Sequence, residues 1–160
     1  MKRRAALATL TALAGCGFQL RQAITLPIRS VALVGFAPTS PLATALRLEL
    51  ERAGVTLRDN PAHAEVVFNT LADAREKIVA ASTAAGQVRE VQLRVRLRFR
   101  VATPAGRVLL AADDLLLTRD LSYDESAALA KQQEEALLYR AMDDDIVAQV
   151  LRRLASIKLA

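Results

Sequence analysis

The chain predicts an α+β domain: an antiparallel sheet of about four long strands with two helices packed on one face. Three observations lead there. Residues Gln87 to Val101 alternate with unusual regularity. Val91, Leu93, Val95, Leu97, Phe99 and Val101 fall on one side, and Glu90, Gln92, Arg94, Arg96, Arg98 and Arg100 on the other. That period of two marks a strand with one face buried and the other in water. Leu138, Met142, Ile146, Val150 and Leu154 keep a helical spacing near the C-terminus, so a long helix has an apolar stripe to bury. Ahead of both, a short apolar run leads into a capped helical pattern.

The elements follow in order. Ser30 to Phe36 is an apolar run with β-branched residues, the pattern of a buried strand. Ser40 can cap a helix with Pro41 at its first position; Leu42, Ala45, Leu46, Leu50 and Ala53 share a face, and Gly54 ends it. Val55 to Leu57 is a brief extended piece, and Asp59-Asn60-Pro61 marks a turn. Three longer strands come next, Ala64 to Ser82, Gln87 to Val101 and Arg107 to Leu121. They are joined by Thr83-Ala84-Ala85-Gly86 and Thr103-Pro104-Ala105-Gly106. At about 3.3 Å per residue, a strand of about 15 residues reaches roughly 50 Å, so the sheet is long and narrow. Ser122-Tyr123-Asp124-Glu125 reads as a capping box opening a helix that runs to about Ile157. Asp124 and Glu125 at its start and Arg152 and Arg153 at its end suit the helix dipole.

The first residues carry a different message. Met1-Lys2-Arg3-Arg4 is a basic start, and the ten apolar residues Ala5 to Ala14 fall well short of the about 20 needed to span a bilayer. This is a signal peptide. Leu13-Ala14-Gly15-Cys16 resembles the bacterial lipobox, in which the chain is cut between the residues matching Gly15 and Cys16 and the thiol carries diacylglycerol. The alternative is an ordinary secretory signal with a chance cysteine. Gly17 stands where aspartate is the usual inner-membrane retention signal; resemblance to that sorting rule implies the outer membrane, with the protein on its periplasmic side. The chain therefore divides into a signal peptide (1–15), a lipidated tether (16–29) and a single α+β domain (30–160). Cleavage leaves 145 residues with 19 basic and 17 acidic side chains, a net charge of +2, so the pI near 10.0 overstates the basicity of the mature chain. Acylation of Cys16 removes the only thiol, and no later apolar run is long enough to cross a membrane.

The chemical inventory argues against an enzyme. There is one histidine, His63, which follows a turn and reads as a solvated loop residue. No HExxH, Walker A, GxGxxG or GxSxG pattern occurs. Successive helix residues point about 100° apart, so Asp143-Asp144-Asp145 cannot converge on a metal and reads as a solvated face, as does Glu134-Glu135. No metal site and no cofactor is expected beyond the N-acyl and S-diacylglycerol lipid on Cys16. What remains is the ladder Arg94, Arg96, Arg98 and Arg100, spaced about 7 Å apart and able to hold phosphates or carboxylates. Nucleic acid is a poor match, because only 4% of residues are aromatic and few stacking platforms exist. Two readings stay open: a solvated face paired with acidic neighbours, or a surface for an anionic lipid head group or the acidic wall of a partner.

Cys16-Gly17-Phe18-Gln19-Leu20-Arg21, the stretch Ala85-Gly86-Gln87 with its alternating strand, and a C-terminal pattern resemble the lipopolysaccharide-assembly lipoprotein family LptE. That pattern comprises Ser122-Tyr123, Ala128-Leu129-Ala130-Lys131, Glu134-Glu135, Met142 and Arg152-Arg153-Leu154. The resemblance spans essentially the mature chain. It implies a sheet with two helices on one face, and a lipoprotein that sits as a plug inside the β-barrel LptD, assists its assembly and helps deliver lipopolysaccharide to the outer leaflet. It further implies lipopolysaccharide contacts through basic residues, one on the C-terminal helix, matched by Lys131, and one in the turn before the long strand. Thr83 to Gly86 holds no basic residue, and Arg89 is the nearest substitute. Together with Arg94 and Arg96 these are the candidate lipopolysaccharide-binding residues. Gln22 replaces a glycine that often follows the opening motif. The alternative function is a freestanding periplasmic lipoprotein that binds a lipid or peptide in a cleft under its helices.

Overall fold

In the computed structural model, which describes residues 25–159, the chain runs β1 (Ser30–Val34), α1 (Pro41–Arg52), β2 (Thr56–Leu57), β3 (Val66–Ser82), β4 (Val88–Ala102), β5 (Val108–Ser122) and α2 (Ala128–Ala155). Single 3-10 turns stand at Pro61–His63 and Glu125–Ala127. The fold is α+β with two helices, as expected. The sheet is mixed and five-stranded, in the order β2-β1-β3-β4-β5, where an antiparallel sheet of about four strands was expected. β3, β4 and β5 form the antiparallel meander, but β1 lies parallel to both β2 and β3. The connection explains the difference: α1 carries the chain back to the start of β1, so β2 enters beside β1 in the same direction. Because β2 has two residues, the chain stays near that end and β3 also starts there.

Both hairpins use one turn. Thr83 and Thr103 each receive the backbone N–H of the glycine three residues on, at 2.9 Å, and each hydroxyl accepts the following N–H at 3.1 Å. Gly86 and Gly106 adopt φ of +79° and +90°, the left-handed region that only glycine enters without strain. The turns lie at opposite ends of the sheet. At the proximal end are the starts of β1 and β3, the Thr103–Gly106 turn and the end of α2; at the distal end are the Thr83–Gly86 turn, the end of β5 and the start of α2.

One face of the sheet is covered. Val91, Leu93, Val95, Leu97, Phe99 and Val101 of β4 are buried against Leu42, Leu46 and Leu50 of α1 and Met142, Ile146, Val150 and Leu154 of α2. Each such side chain contributes about 1.5–3 kcal/mol when fully buried. Phe36, Phe68 and Phe99 stack through the layer, with centroids 6.0 and 4.7 Å apart. Leu26 and Ile28, ahead of β1, also belong to this core. On β3 the register shifts between Thr70 and Ala72, leaving Leu71 as an extra, exposed residue. The bulge flips the parity of the strand: beyond it Asp73, Arg75, Lys77 and Val79 lie opposite the inward residues of β4 and face the helices.

The start of α2 departs from the expected capping box. Ser122 is the last residue of β5, and Asp124 caps the 3-10 turn ahead of α2, its carboxylate accepting the N–H of Ser126 at 2.9 Å and its hydroxyl at 2.8 Å; α2 itself begins after Ala127 with no side-chain cap. Ser122 continues the ladder opposite Glu90, and strand pairing satisfies more backbone than an early helical turn would.

Candidate functional site

The four arginines of β4 stand on the uncovered face, as their alternation predicts, but they are not a free ladder. The register sets Glu76 of β3 beside Arg94 and Asp114 of β5 beside Arg98, and Asp120 beside Gln92. Arg96 makes a two-pronged bond to Asp114 at 2.9 and 2.5 Å. That bond raises the Arg96 guanidinium further and holds the Asp114 carboxyl below the usual carboxylate range. Arg94 donates its Nε to Gln92 at 2.8 Å, and Gln92 donates to Asp120 at 3.1 Å. Acidic neighbours therefore accompany Arg94 and Arg96, whereas Arg100 has no ion-pair partner among the described residues.

Lys131 lies elsewhere. Its ammonium donates to the Ser122 hydroxyl at 3.1 Å and to Glu134 at 2.8 Å, at the distal start of α2. Arg89 shares the odd-numbered, helix-side parity of β4, and its carbonyl receives the Tyr123 N–H at 2.8 Å. The two meet electrostatically at Asp124, whose carboxyl is lowered first by the Ser126 hydroxyl and N–H and then by Arg89 and Lys131. Gln87, Arg89, Tyr123 and Asp124 line a shallow cleft there. The structure thus sets Arg89 and Lys131 at the distal end, and Arg94 and Arg96 on the open face further along β4.

Lys77 joins the distal pair, unforeseen in the sequence. Its ammonium bonds Glu135 at 2.6 Å and sits 5.6 Å from the centre of the Tyr123 ring. Only the bulge at Leu71 turns it toward α2, and a bulge leaves no period in the sequence to read. The distal end therefore holds Lys77, Arg89 and Lys131 with Asp124, Glu134 and Glu135, where Lys77 pairs with Glu135 and Lys131 with Glu134.

Asp143 and Glu135 correct the reading of two acidic runs as solvated faces. Asp143 is 4% exposed and pairs with Arg75 of β3, while Asp145 reaches Arg119 of β5 at 3.3 Å. The run straddles the apolar strip of β4 and pins α2 to the strands on both sides. Burial pushes the Asp143 carboxyl up to about 6; Arg75 opposes that shift and the carboxylates of Asp73 and Asp144 add to it. Asp73 in turn accepts the Ser40 hydroxyl at 2.6 Å, while Ser40 caps α1 by accepting the Ala43 N–H at 3.0 Å. His63 is exposed in its turn. Gly15 and Cys16 lie outside the described residues. Among the described residues, no group of three or more His, Cys, Asp or Glu side chains could hold a metal, and no helix is long and apolar enough to cross a membrane.

Residues 28–154 match the family model LptE, described as lipopolysaccharide-assembly. The LPS-assembly lipoprotein LptE of Yersinia enterocolitica is 25% identical over 150 residues, covering 92% of this chain and 72% of its own length. The protein of the same name in Photorhabdus laumondii is 25% identical over 148 residues, covering 90% and 79%. Among solved structures, lipoprotein B of Nitrosomonas europaea superposes with a TM-score of 0.72 at 28% identity, covering 88% of this chain and 91% of that one. The rare lipoprotein B of Shewanella oneidensis gives 0.66 at 24% identity, over 80% and 95%, and shares the fold.

Proposed function

The chain belongs to the LptE lipopolysaccharide-assembly family, and from that premise we propose that it is an acylated outer-membrane lipoprotein that plugs the LptD β-barrel, assists its assembly and meets lipopolysaccharide at its distal end. The observation that carries the last part is the cleft at the β5–α2 junction, lined by Arg89, Tyr123 and Asp124, with the Lys131 ammonium bonded to Ser122 beside it. Two cations on separate elements, fixed by the β5–α2 junction, can share one phosphate through charged hydrogen bonds, a geometry that an isolated surface lysine lacks. Lys131 already bonds Ser122 and Glu134, so an anionic head group would exchange with Glu134 for an ammonium that is held in place beforehand.

The open face of the sheet supports the plug. Arg94, Arg96 and Arg98 are interleaved with Glu76, Glu90, Asp114 and Asp120, a polar surface close to neutral, and the lumen of an outer-membrane barrel is polar. The freestanding-carrier alternative needs a cavity beneath the helices. Phe68, Phe99, Leu93, Leu97, Met142 and Ile146 fill that space and are fully buried.

The distal reading is tested by lipopolysaccharide binding in paired variants. Arg89→Gln with Lys131→Gln should weaken binding at least about tenfold, since a charged hydrogen bond contributes roughly 1.5–3 kcal/mol, and should flatten its salt dependence. Arg94→Gln with Arg96→Gln should leave it nearly unchanged. The opposite ranking would move the site to the open face.

A further inference from the structure

We propose that the proximal end of the domain carries a seat for an anionic phospholipid head group, centred on Arg100, by which the protein docks on the bilayer that holds its acyl anchor. The inference rests on the reading of Cys16 as that anchor.

The seat is a cleft of about 390 Å³ at the outer proximal corner of the sheet, between the 3-10 turn Pro61–His63 and the Thr103–Gly106 hairpin. Arg100 is the one charged residue lining it among the described residues; Asn69 and Thr103 supply polar groups, and Val67, Ala102 and Val108 supply apolar wall. Among the described residues, no carboxylate lines the cleft. Along the open face, charge changes with position: Glu76, Glu90 and Asp120 surround Arg94 distally, Asp114 serves Arg96 and Arg98, and Arg100 has no ion-pair partner among the described residues. A guanidinium with free donors beside an apolar wall fits a phosphate diester with the start of its acyl chains.

The chain places this corner at the membrane. Eight residues lie between Cys16 and Thr25, a reach of at most about 30 Å at 3.3–3.6 Å per residue. The described chain enters at the proximal end, where the Arg29 N–H bonds Glu65 and the Glu65 N–H bonds the Ser30 hydroxyl. The distal turn lies a full strand of about 50 Å away. Arg29, Arg58 and Lys158 stand exposed toward the proximal end and are balanced by the carboxylates of Glu51, Asp59 and Glu65, so the attraction rests on Arg100.

Acylated Cys16 leaves no free thiol, so a cysteine introduced as Ala105→Cys in the proximal turn, or Ala85→Cys in the distal one, takes a fluorophore alone. The acylated protein is reconstituted in vesicles of phosphatidylcholine doped with head-group-nitroxide phosphatidylglycerol or phosphatidylcholine at equal mole fraction. At position 105 the phosphatidylglycerol probe should quench about fivefold more strongly, the preference expected of one cation at an anionic surface. Arg100→Gln should abolish that preference, Arg94→Gln should keep it, and a label at position 85 should be quenched by neither lipid. Equal quenching by both lipids at position 105, or a preference that survives Arg100→Gln, overturns the seat while leaving the anchor intact. Protein that fails to float with either vesicle overturns the anchor, and the seat with it.

Discussion

Asp143 sits where burial and charge oppose each other. Its carboxyl, raised from 3.8 to about 6, takes up a proton more readily in the folded chain than in the unfolded one. Its contribution to stability is therefore favourable below the unfolded value and is lost as pH rises through about 6, by at most about 3 kcal/mol. Asp143→Asn removes that titration. The difference in urea-unfolding free energy between variant and parent should change between pH 4 and pH 7, in the direction that makes the variant relatively more stable at pH 7; a pH-independent difference would contradict it. Gly35 offers a second test at this scale. It combines φ of +89° with a position where an added Cβ would meet the Thr70 carbonyl oxygen at 2.4 Å, whereas Gly54, at +79°, has open space. Gly35→Ala should cost more than Gly54→Ala, by roughly 1–3 kcal/mol of added strain, measured as a fall in denaturation midpoint. Neither residue advertises this in the sequence. Asp143, Asp144 and Asp145 look alike in the chain, and only the positions of Arg75 and Arg119 on separate strands distinguish them.

Among the elements, β4 was the most legible, because it runs through the middle of the sheet with one face buried along its whole length. β3 was legible as a strand but not as a surface. The bulge at Leu71 reverses its parity, and beyond it Arg75 and Lys77 face the helices, where ion pairs with Asp143 and Glu135 replace apolar contact. The same charges guard the long edge of β3 beyond Asn69, where β1 no longer pairs with it, and inward charges on an exposed edge discourage pairing with another chain. The parallel placement of β1 was missed because strand direction depends on the path of α1, which apolar spacing does not record. Packing predicts where substitutions hurt. Phe99→Ala, which removes a ring stacked 4.7 Å from Phe68, should cost about 3–5 kcal/mol, while Leu116→Ala on the open face, 55% exposed, should stay within about 0.5 kcal/mol. Comparable losses in chemical denaturation would mean that the open face is covered in the isolated chain.

At the scale of the molecule, the long meander separates two ends with different chemistry. The described chain enters at the proximal end, and Lys77, Arg89 and Lys131 gather at the distal one, about 50 Å away at the rise of an extended strand. An apolar layer fills one side of the sheet and a nearly neutral polar face covers the other, so the molecule can fill a polar lumen along its length while its ends meet different surroundings. The two faces of the sheet were readable from the alternation and the long helix. The placing of Lys131 against Ser122 was not, since it depends on how the end of β5 passes into α2. A plug buries far more than a standard interface of about 1,600 Å², so its loss should follow from disrupting the core and rarely from one surface change. The most direct measurement is photocrosslinking in cells from positions 94 and 98 on the open face, followed by identification of the captured protein. Capture of an LptD-type barrel through residues of its lumen is the predicted result; capture of soluble periplasmic proteins alone, with the barrel assembling normally without this lipoprotein, would contradict the account.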